Sequence, residues 1–269
     1  MADLVQRLTA RLLTPVDASG RIVLRMFGAA AQSMGRLGKA LWNLPALFGP
    51  LGFYLRRTVV QQLYFTAVQA FWLMGVVGVA LGVMVAFPLL GFGLSDTSIQ
   101  ATVMKTALFH QMVPLLSALV VVGRSGTALT AEIAEFHYRG VVDALAMMGI
   151  DPDDFILLPR LLGVTAALLL LTLWANLAAI LGAAGYNAWL GTSALMPFVE
   201  ACAATFTPVD AILTLCMTVS FGCAIVLVQA GLGLRARNVV ELQRSLPQAF
   251  VRSLLWCVGL TLVFTVVRA

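Results

Sequence analysis

The sequence predicts an all-α polytopic membrane protein, with an N-terminal interfacial helix, five transmembrane helices and a cytoplasmic helical segment between spans two and three. Three observations predict it. First, 61% of the 269 residues are hydrophobic and only 11% are charged, less than half the roughly 25% charged share of an ordinary soluble domain. Second, five stretches reach or approach the roughly 20 apolar residues that a bilayer-crossing helix needs. Third, Lys and Arg crowd into alternate loops, as they do in a chain that weaves through a bilayer. Together these exclude a water-soluble globule, a disordered chain and a disulfide scaffold. The net charge of +5 then becomes a statement about topology, and no nucleic-acid partner is expected.

Residues 1–65 read as a cytoplasmic, interfacial amphipathic region. Leu4, Val5, Leu8, Leu12 and Leu13 fall on one helical face and Arg7 and Arg11 on the other, which suits a helix lying in the interface plane. Ala40 to Leu55 is apolar but broken by Pro45, Gly49 and Pro50, and reads as a dip into the membrane surface. The opening MADLVQRLTARLLT has neither a short apolar core nor a small-residue cleavage site, so no cleaved signal peptide is expected. Residues 66–269 form the five-span domain, with spans at about 68–90, 105–123, 160–186, 210–234 and 249–267. Ala70 to Leu90 carries no charge, whereas span two is interrupted by His110, Gln111 and Pro114. Span three, Leu161 to Tyr186, holds Asn176 as its only amide, and span four covers Ala211 to Leu234. Ser253 to Val267 is short for a span and reaches the required length by including Ala249 to Val251 around Arg252.

Fifteen of the seventeen Lys and Arg lie before span one, between spans two and three, or before span five. The excess of cations marks that side as cytoplasmic, which puts the N-terminus inside and the C-terminus outside. Lys105 and Arg268 are the two exceptions. Seven of the twelve acids, from Glu132 to Asp154 and at Glu241, fall on the cytoplasmic side as well.

Catalytic signatures are missing. The nearest approach to a phosphate-binding loop, SMGRLGKA around Lys39, lacks both the leading Gly and the Ser/Thr after Lys, and the chain has only one other lysine. Any ATP must therefore be bound by another subunit. There is no Ser/His/Asp set and no H-E-x-x-H motif, and only two histidines exist, so neither an enzyme nor a cofactor is expected. Cys202, Cys216, Cys223 and Cys257 form no C-x-x-C pair, which argues against a redox or zinc site and for packing.

Three groups of residues remain as candidates. His110 and Gln111 with Pro114 put polar groups inside hydrocarbon, where they are costly and usually face a cavity; the competing reading is a Gln hydrogen-bonding across the bundle. Gly75, Gly78 and Gly82 place small residues along span one, where they allow close helix packing within the chain or at a dimer seam. The third group is the loop from Gly123 to Leu162. Gly123 and Gly126 bracket Arg124 and Ser125 as a flexible exit from span two. Thr127 to Tyr138 then reads as a helix whose charged face bears Glu132 and Glu135, and Val142 to Met148 as an apolar, Met-rich helix. Asp151 with Pro152 caps the next element. Such a segment is either a docking surface for a soluble partner or a loop that packs on its own bundle.

G-R-S-G-T-A-L-T-A-E-I (Gly123 to Ile133), M-M-G-I-D-P (Met147 to Pro152), the pair Pro159–Arg160 and Q-Q-L-Y (Gln61 to Tyr64) resemble the MlaE/YrbE family, the permease subunits of ABC transporters that work with MCE-domain proteins. The resemblance runs from about Gln61 to Gly231. It implies a multi-pass permease of the bacterial inner membrane, with its C-terminus periplasmic, that pairs with a second permease subunit as a homo- or heterodimer. It further implies a cytoplasmic ABC ATPase, a periplasmic MCE-domain protein, and phospholipid or a related membrane lipid moved between inner and outer membrane. The family's coupling helix falls on about Thr127 to Ala146, where Glu132, Glu135, His137, Arg139 and Asp143 would meet the ATPase and Arg124 would hold the register. The family's lipid-cavity sequence, commonly Arg-Glu-Leu-Gly-Pro, is here His110-Gln111-Met112-Val113-Pro114, and its Glu-Gln after the coupling helix is Gly140-Val141. A secondary transporter or channel, or a scaffold that transports nothing, are the rival readings. Neither accounts for the Gly123–Ile133 motif, and no inverted repeat or membrane-embedded acid supports the first.

Overall fold

The computed structural model describes residues 52–93, 96–149, 151–192, 194–236 and 238–268. The expected interfacial helix, and the rest of region 1–65 before Gly52, lie outside these residues. The described chain is helical, and five of its helices are long and apolar enough to cross a membrane. In hydrocarbon every backbone N–H and C=O must be satisfied internally, and an apolar run meets that demand by forming helix.

Helix α1 runs through Gly52–Leu63, a π-helical turn at Tyr64–Val68, and Gln69–Gly91. It ends where Pro88 and the left-handed Gly93 (φ 75°) stop propagation. Asp96 opens α2, accepting a hydrogen bond from the Ser98 amide at 3.0 Å. Helix α2 then continues over Thr97–Tyr138, 42 residues, with π-helical turns at Lys105–Met112 and Val122–Gly126. At 1.5 Å per residue it is about 60 Å long, twice a hydrocarbon core of about 30 Å. It must project well beyond the bilayer. The expected flexible exit at Gly123–Gly126 is therefore not what forms, because the helix passes straight through. The reason lies in packing: a Cβ on Gly126 would sit 2.7 Å from the Gln229 amide nitrogen, so that glycine permits a close approach and not a break.

The break comes later. Gly140 takes φ 73° and its N–H donates to the His137 carbonyl at 3.1 Å, the left-handed residue that commonly ends a helix. The segment Thr127–Ala146 is thus helical in two pieces, the end of α2 and the short α3, Val141–Met147. A π-helical turn at Asp153–Leu157 leads into α4, Leu158–Trp189. Helix α5, Leu195–Thr205, occupies the stretch that the sequence left as a loop between spans three and four. Helix α6, Pro208–Gly233, starts on a capping box in which Thr207 and Asp210 exchange hydrogen bonds. Helix α7 covers Val239–Arg268.

Helix α4 is the centre of the bundle, 67% buried over its apolar window against 11% for α7. Its Ala175 and Ala179 meet Gly78 and Gly82 of α1: a methyl on Gly78 would lie 2.5 Å from the Ala175 carbonyl oxygen. Gly182 returns the arrangement by approaching Val79, while the Trp174 indole donates to the Phe71 carbonyl at 3.1 Å and stacks on its ring at 4.2 Å. Small residues let these two backbones touch along several turns. Gly75, one turn away, faces the Trp174 ring. Large apolar side chains stay exposed around the bundle, among them Trp72, Met84, Phe87, Leu173, Leu181 and Leu262, as a hydrocarbon solvent requires. All four cysteines are free thiols. Burial pushes the Cys202 thiol in α5 up to about 11, which leaves it an inert packing group.

Candidate functional site

Two polar clusters sit at opposite ends of the bundle, and α2 runs through both. At one end, the π-helical turn Lys105–Met112 carries Lys105, His110 and Gln111 toward α6 and α7. The Lys105 ammonium lies 3.0 Å from the Asp210 carboxylate and donates to the Thr205 carbonyl at 3.2 Å. Asp210 belongs to the first turn of α6, where the Thr207 hydroxyl also donates to it at 2.6 Å. His110 Nε2 approaches the other Asp210 oxygen at 3.2 Å without the alignment of a hydrogen bond. From the last turn of α7, Arg268 donates to the His110 carbonyl and to the Thr214 hydroxyl, each at 3.0 Å. Gln111 donates to Thr265 on the same helix at 3.4 Å.

Pro114 explains part of this arrangement. Proline has no N–H, so Pro114 takes one donor out of the helical ladder beside the His110 carbonyl. Arg268 replaces it. Pro114 itself is buried, whereas His110 and Gln111 keep partial exposure. The polar groups of span two thus reach across the bundle to α6 and α7. Lys105, Asp210 and Arg268 were not among the sequence candidates, although a signal existed. Lys105 and Arg268 are the two cations that break the charge bias, and Asp210 opens a span; the three meet here.

At the other end, Arg124 donates twice to Gln69 of α1, to its carbonyl at 2.6 Å and its side-chain oxygen at 2.7 Å. Thr130 hydrogen-bonds the Gln229 side chain, whose amide donates to Ser253 at 3.1 Å, so a buried polar chain joins α2, α6 and α7. Glu132 is taken up by Arg160 of α4, with contacts of 2.7 and 3.4 Å. That guanidinium is itself buried, donates to the Ile156 carbonyl at 2.8 Å and lies 5.2 Å above the Phe136 ring centre. Glu135 pairs with Arg139 one turn on, at the exposed tip of α2. His137 is half-buried, while Asp143, Met147 and Met148 are exposed on α3 and just after it. The structure therefore divides the five charged candidates among these six. Arg124 and Glu132 tie helices together, and Glu135, Arg139 and Asp143 remain on an open surface. Arg160 and Gln229, which do most of the tying, were visible in the sequence only as a motif fragment and a lone amide. Among the described residues no cluster of His, Cys, Asp and Glu has the arrangement of a metal site.

A family model described as permease MlaE matches residues 59–267, which takes in all five spans. The chain is 33% identical over 111 residues to a probable ABC transporter permease protein of Synechocystis, covering 41% of this chain and 40% of that one. It is 29% identical over 152 residues to the intermembrane phospholipid transport system permease protein MlaE of Haemophilus influenzae, covering 54% of each. To the chloroplastic protein TRIGALACTOSYLDIACYLGLYCEROL 1 of Arabidopsis thaliana it is 34% identical over 71 residues, or 26% of this chain and 20% of that one. The matched stretch spans about half or less of the length of each of these relatives.

Proposed function

The chain belongs to the MlaE permease family, and from that premise we propose that it is the membrane-spanning, non-catalytic subunit of an ABC transporter that moves phospholipid between the two membranes of a bacterial envelope. The observation that carries the mechanism is the single helix α2, 42 residues long. It joins the cluster at His110 and Asp210 to the open surface of Glu135 and Arg139 at its other end, with Asp143 beyond the Gly140 break on α3. With the cation-rich side facing the cytoplasm, that surface meets a partner ATPase, and Met147 and Met148 offer it adaptable apolar contact. Movement of the helix tip is passed to α4 through Glu132–Arg160 and to α6 and α7 through Thr130, Gln229 and Ser253.

The outer end of α2 responds through Lys105, His110 and Arg268, which all converge on the start of α6. A lipid headgroup that enters beside His110 and Gln111 competes with Asp210 for Lys105 and with the His110 carbonyl and Thr214 for Arg268, so cargo and helix closure draw on the same charges. The MCE-domain protein and a second permease subunit complete this assembly. A plain scaffold needs neither cluster; under that reading His110→Leu with Gln111→Leu leaves transport intact.

The coupling assignment is tested on the residues that the bundle leaves free. Glu135→Lys with Asp143→Lys reverses the open surface and leaves Glu132–Arg160 untouched. The expected outcome is loss of ATPase co-purification and of its stimulation, with the melting temperature of the permease unchanged. Stimulation equal to wild type would overturn the assignment.

A further inference from the structure

Helix α7 begins with a polar face. Glu241, Arg244 with Ser245, Gln248 and Arg252 recur every three or four residues and so line one side of its first turns. Opposite them lie Leu232 at the end of α6 and Arg235 and Ala236 just past it, and a pocket of about 300 Å³ lies between. Three arginines and one glutamate give this lining a net positive charge. Among the described residues none forms a side-chain hydrogen bond or ion pair with the guanidinium of Arg235, Arg244 or Arg252.

The same helix face continues without a break. Arg244 and Gln248 are followed at alternating steps of three and four by Val251, Leu255, Val258 and Leu262, and the exposures of these four run from 37% to 64%. A cationic pocket thus opens directly onto an uncovered apolar stripe. Arg252 and Arg268 stand about 24 Å apart along the helix, close to a hydrocarbon thickness of about 30 Å. With Arg268 at one interface, Arg252 lies just inside the other, where a long arginine side chain reaches out to the lipid phosphates.

We propose that Arg235, Arg244 and Arg252, with Ser245 and Gln248, bind the phosphate of an anionic phospholipid whose acyl chains lie along Val251, Leu255, Val258 and Leu262. Arginine presents paired N–H donors to phosphate oxygens, and basic pockets between spans on the cytoplasmic side hold anionic headgroups in this way. The stripe decides between a lipid and a soluble phosphate, since a free anion has no use for it. Placing the lipid in the inner leaflet rests on the orientation proposed above; the binding itself does not.

The test uses the full chain in nanodiscs of phosphatidylcholine containing a minor share of phosphatidylglycerol, with bound lipid counted by native mass spectrometry. Arg244→Gln with Arg252→Gln is expected to weaken phosphatidylglycerol retention about thirtyfold, from roughly one arginine-sized contribution each, while phosphatidylcholine retention stays unchanged. Val251→Ser with Leu255→Ser, which spares every charge, should weaken the same lipid. Equal phosphatidylglycerol retention in the arginine variant overturns the proposal. Displacement of the lipid by inorganic phosphate, with the serine variant binding normally, assigns the pocket to a soluble anion and overturns the lipid. Unchanged retention with loss of a co-purified ATPase or of a second copy makes the face a protein contact and overturns it too. Retention is read without ATP or any partner, so failure here leaves the transport reading standing, and failure of the Glu135/Asp143 test leaves this site standing.

Discussion

A single proline organises the cluster at the start of the second membrane helix. Pro114 takes a donor out of the ladder around the His110 carbonyl, and Arg268, 154 residues further on, supplies one from the end of α7. A buried carbonyl left without a partner costs about 1–3 kcal/mol, so Arg268→Gln should lower the melting temperature in detergent by a few degrees. Pro114→Ala restores a backbone N–H within reach of that carbonyl, and in its background the same Arg268→Gln should cost measurably less. A double-mutant cycle reads the difference. Equal costs in the two backgrounds would falsify the carbonyl account, and the donation to Thr214 would then be the main role of Arg268. The residues of this cluster were only half legible in the sequence. A polar pair beside a proline in an apolar run is conspicuous, but the partners come from sites about 100 and 160 residues away. Only the fold brings Lys105, Asp210 and Arg268 to one place.

Among the elements, the seam between α1 and α4 is the tightest. A Cβ on Gly82 would run into the Ala179 backbone, which no rotamer change can relieve, so Gly82→Ala should destabilise the bundle by about 1–3 kcal/mol as overpacked cores do. Gly185, on the same α4, has nothing within 4 Å of an added Cβ. There the substitution to Ala removes only a helix-weakening residue and should raise stability by about 0.5–1 kcal/mol. Thermal unfolding of the two single variants separates these signs; a neutral Gly82→Ala sinks the close-approach argument. Glycine spacing announced that seam in the sequence. The same reading failed at Gly123 and Gly126, since a glycine that admits Gln229 looks no different in sequence from one that breaks a helix. Helix α5 escaped for a related reason. An eleven-residue helix is too short for a span, and Phe198 and Cys202 become buried only because α2 and α4 lie beside them.

For the whole molecule the decisive quantity is the length of α2 against the thickness of the bilayer. About 60 Å of helix cannot lie within about 30 Å of hydrocarbon, so one end must stand in water, and the side chains say which. The end that begins at Thr97 is tied into α5 and α6 through Thr205 and Asp210, whereas the Tyr138 end carries the open Glu135 and Arg139 and leads into α3 with Asp143. In the orientation proposed from the charge bias, that open end lies in the cytoplasm, along with the pocket of Arg235, Arg244 and Arg252. Accessibility labelling can decide it. Met147 and Met196 are exposed at opposite ends, 83% and 68%, and each can become the sole reactive thiol once the exposed Cys216 and the half-buried Cys223 are replaced by serine. In intact cells a membrane-impermeant maleimide should modify Met196→Cys at once, and Met147→Cys only after the inner membrane is opened. Labelling of Met147→Cys in intact cells would invert the molecule and set α3 against the envelope space. No ATPase could then dock there, and both the transport mechanism and the leaflet assigned to the arginine pocket would fall together.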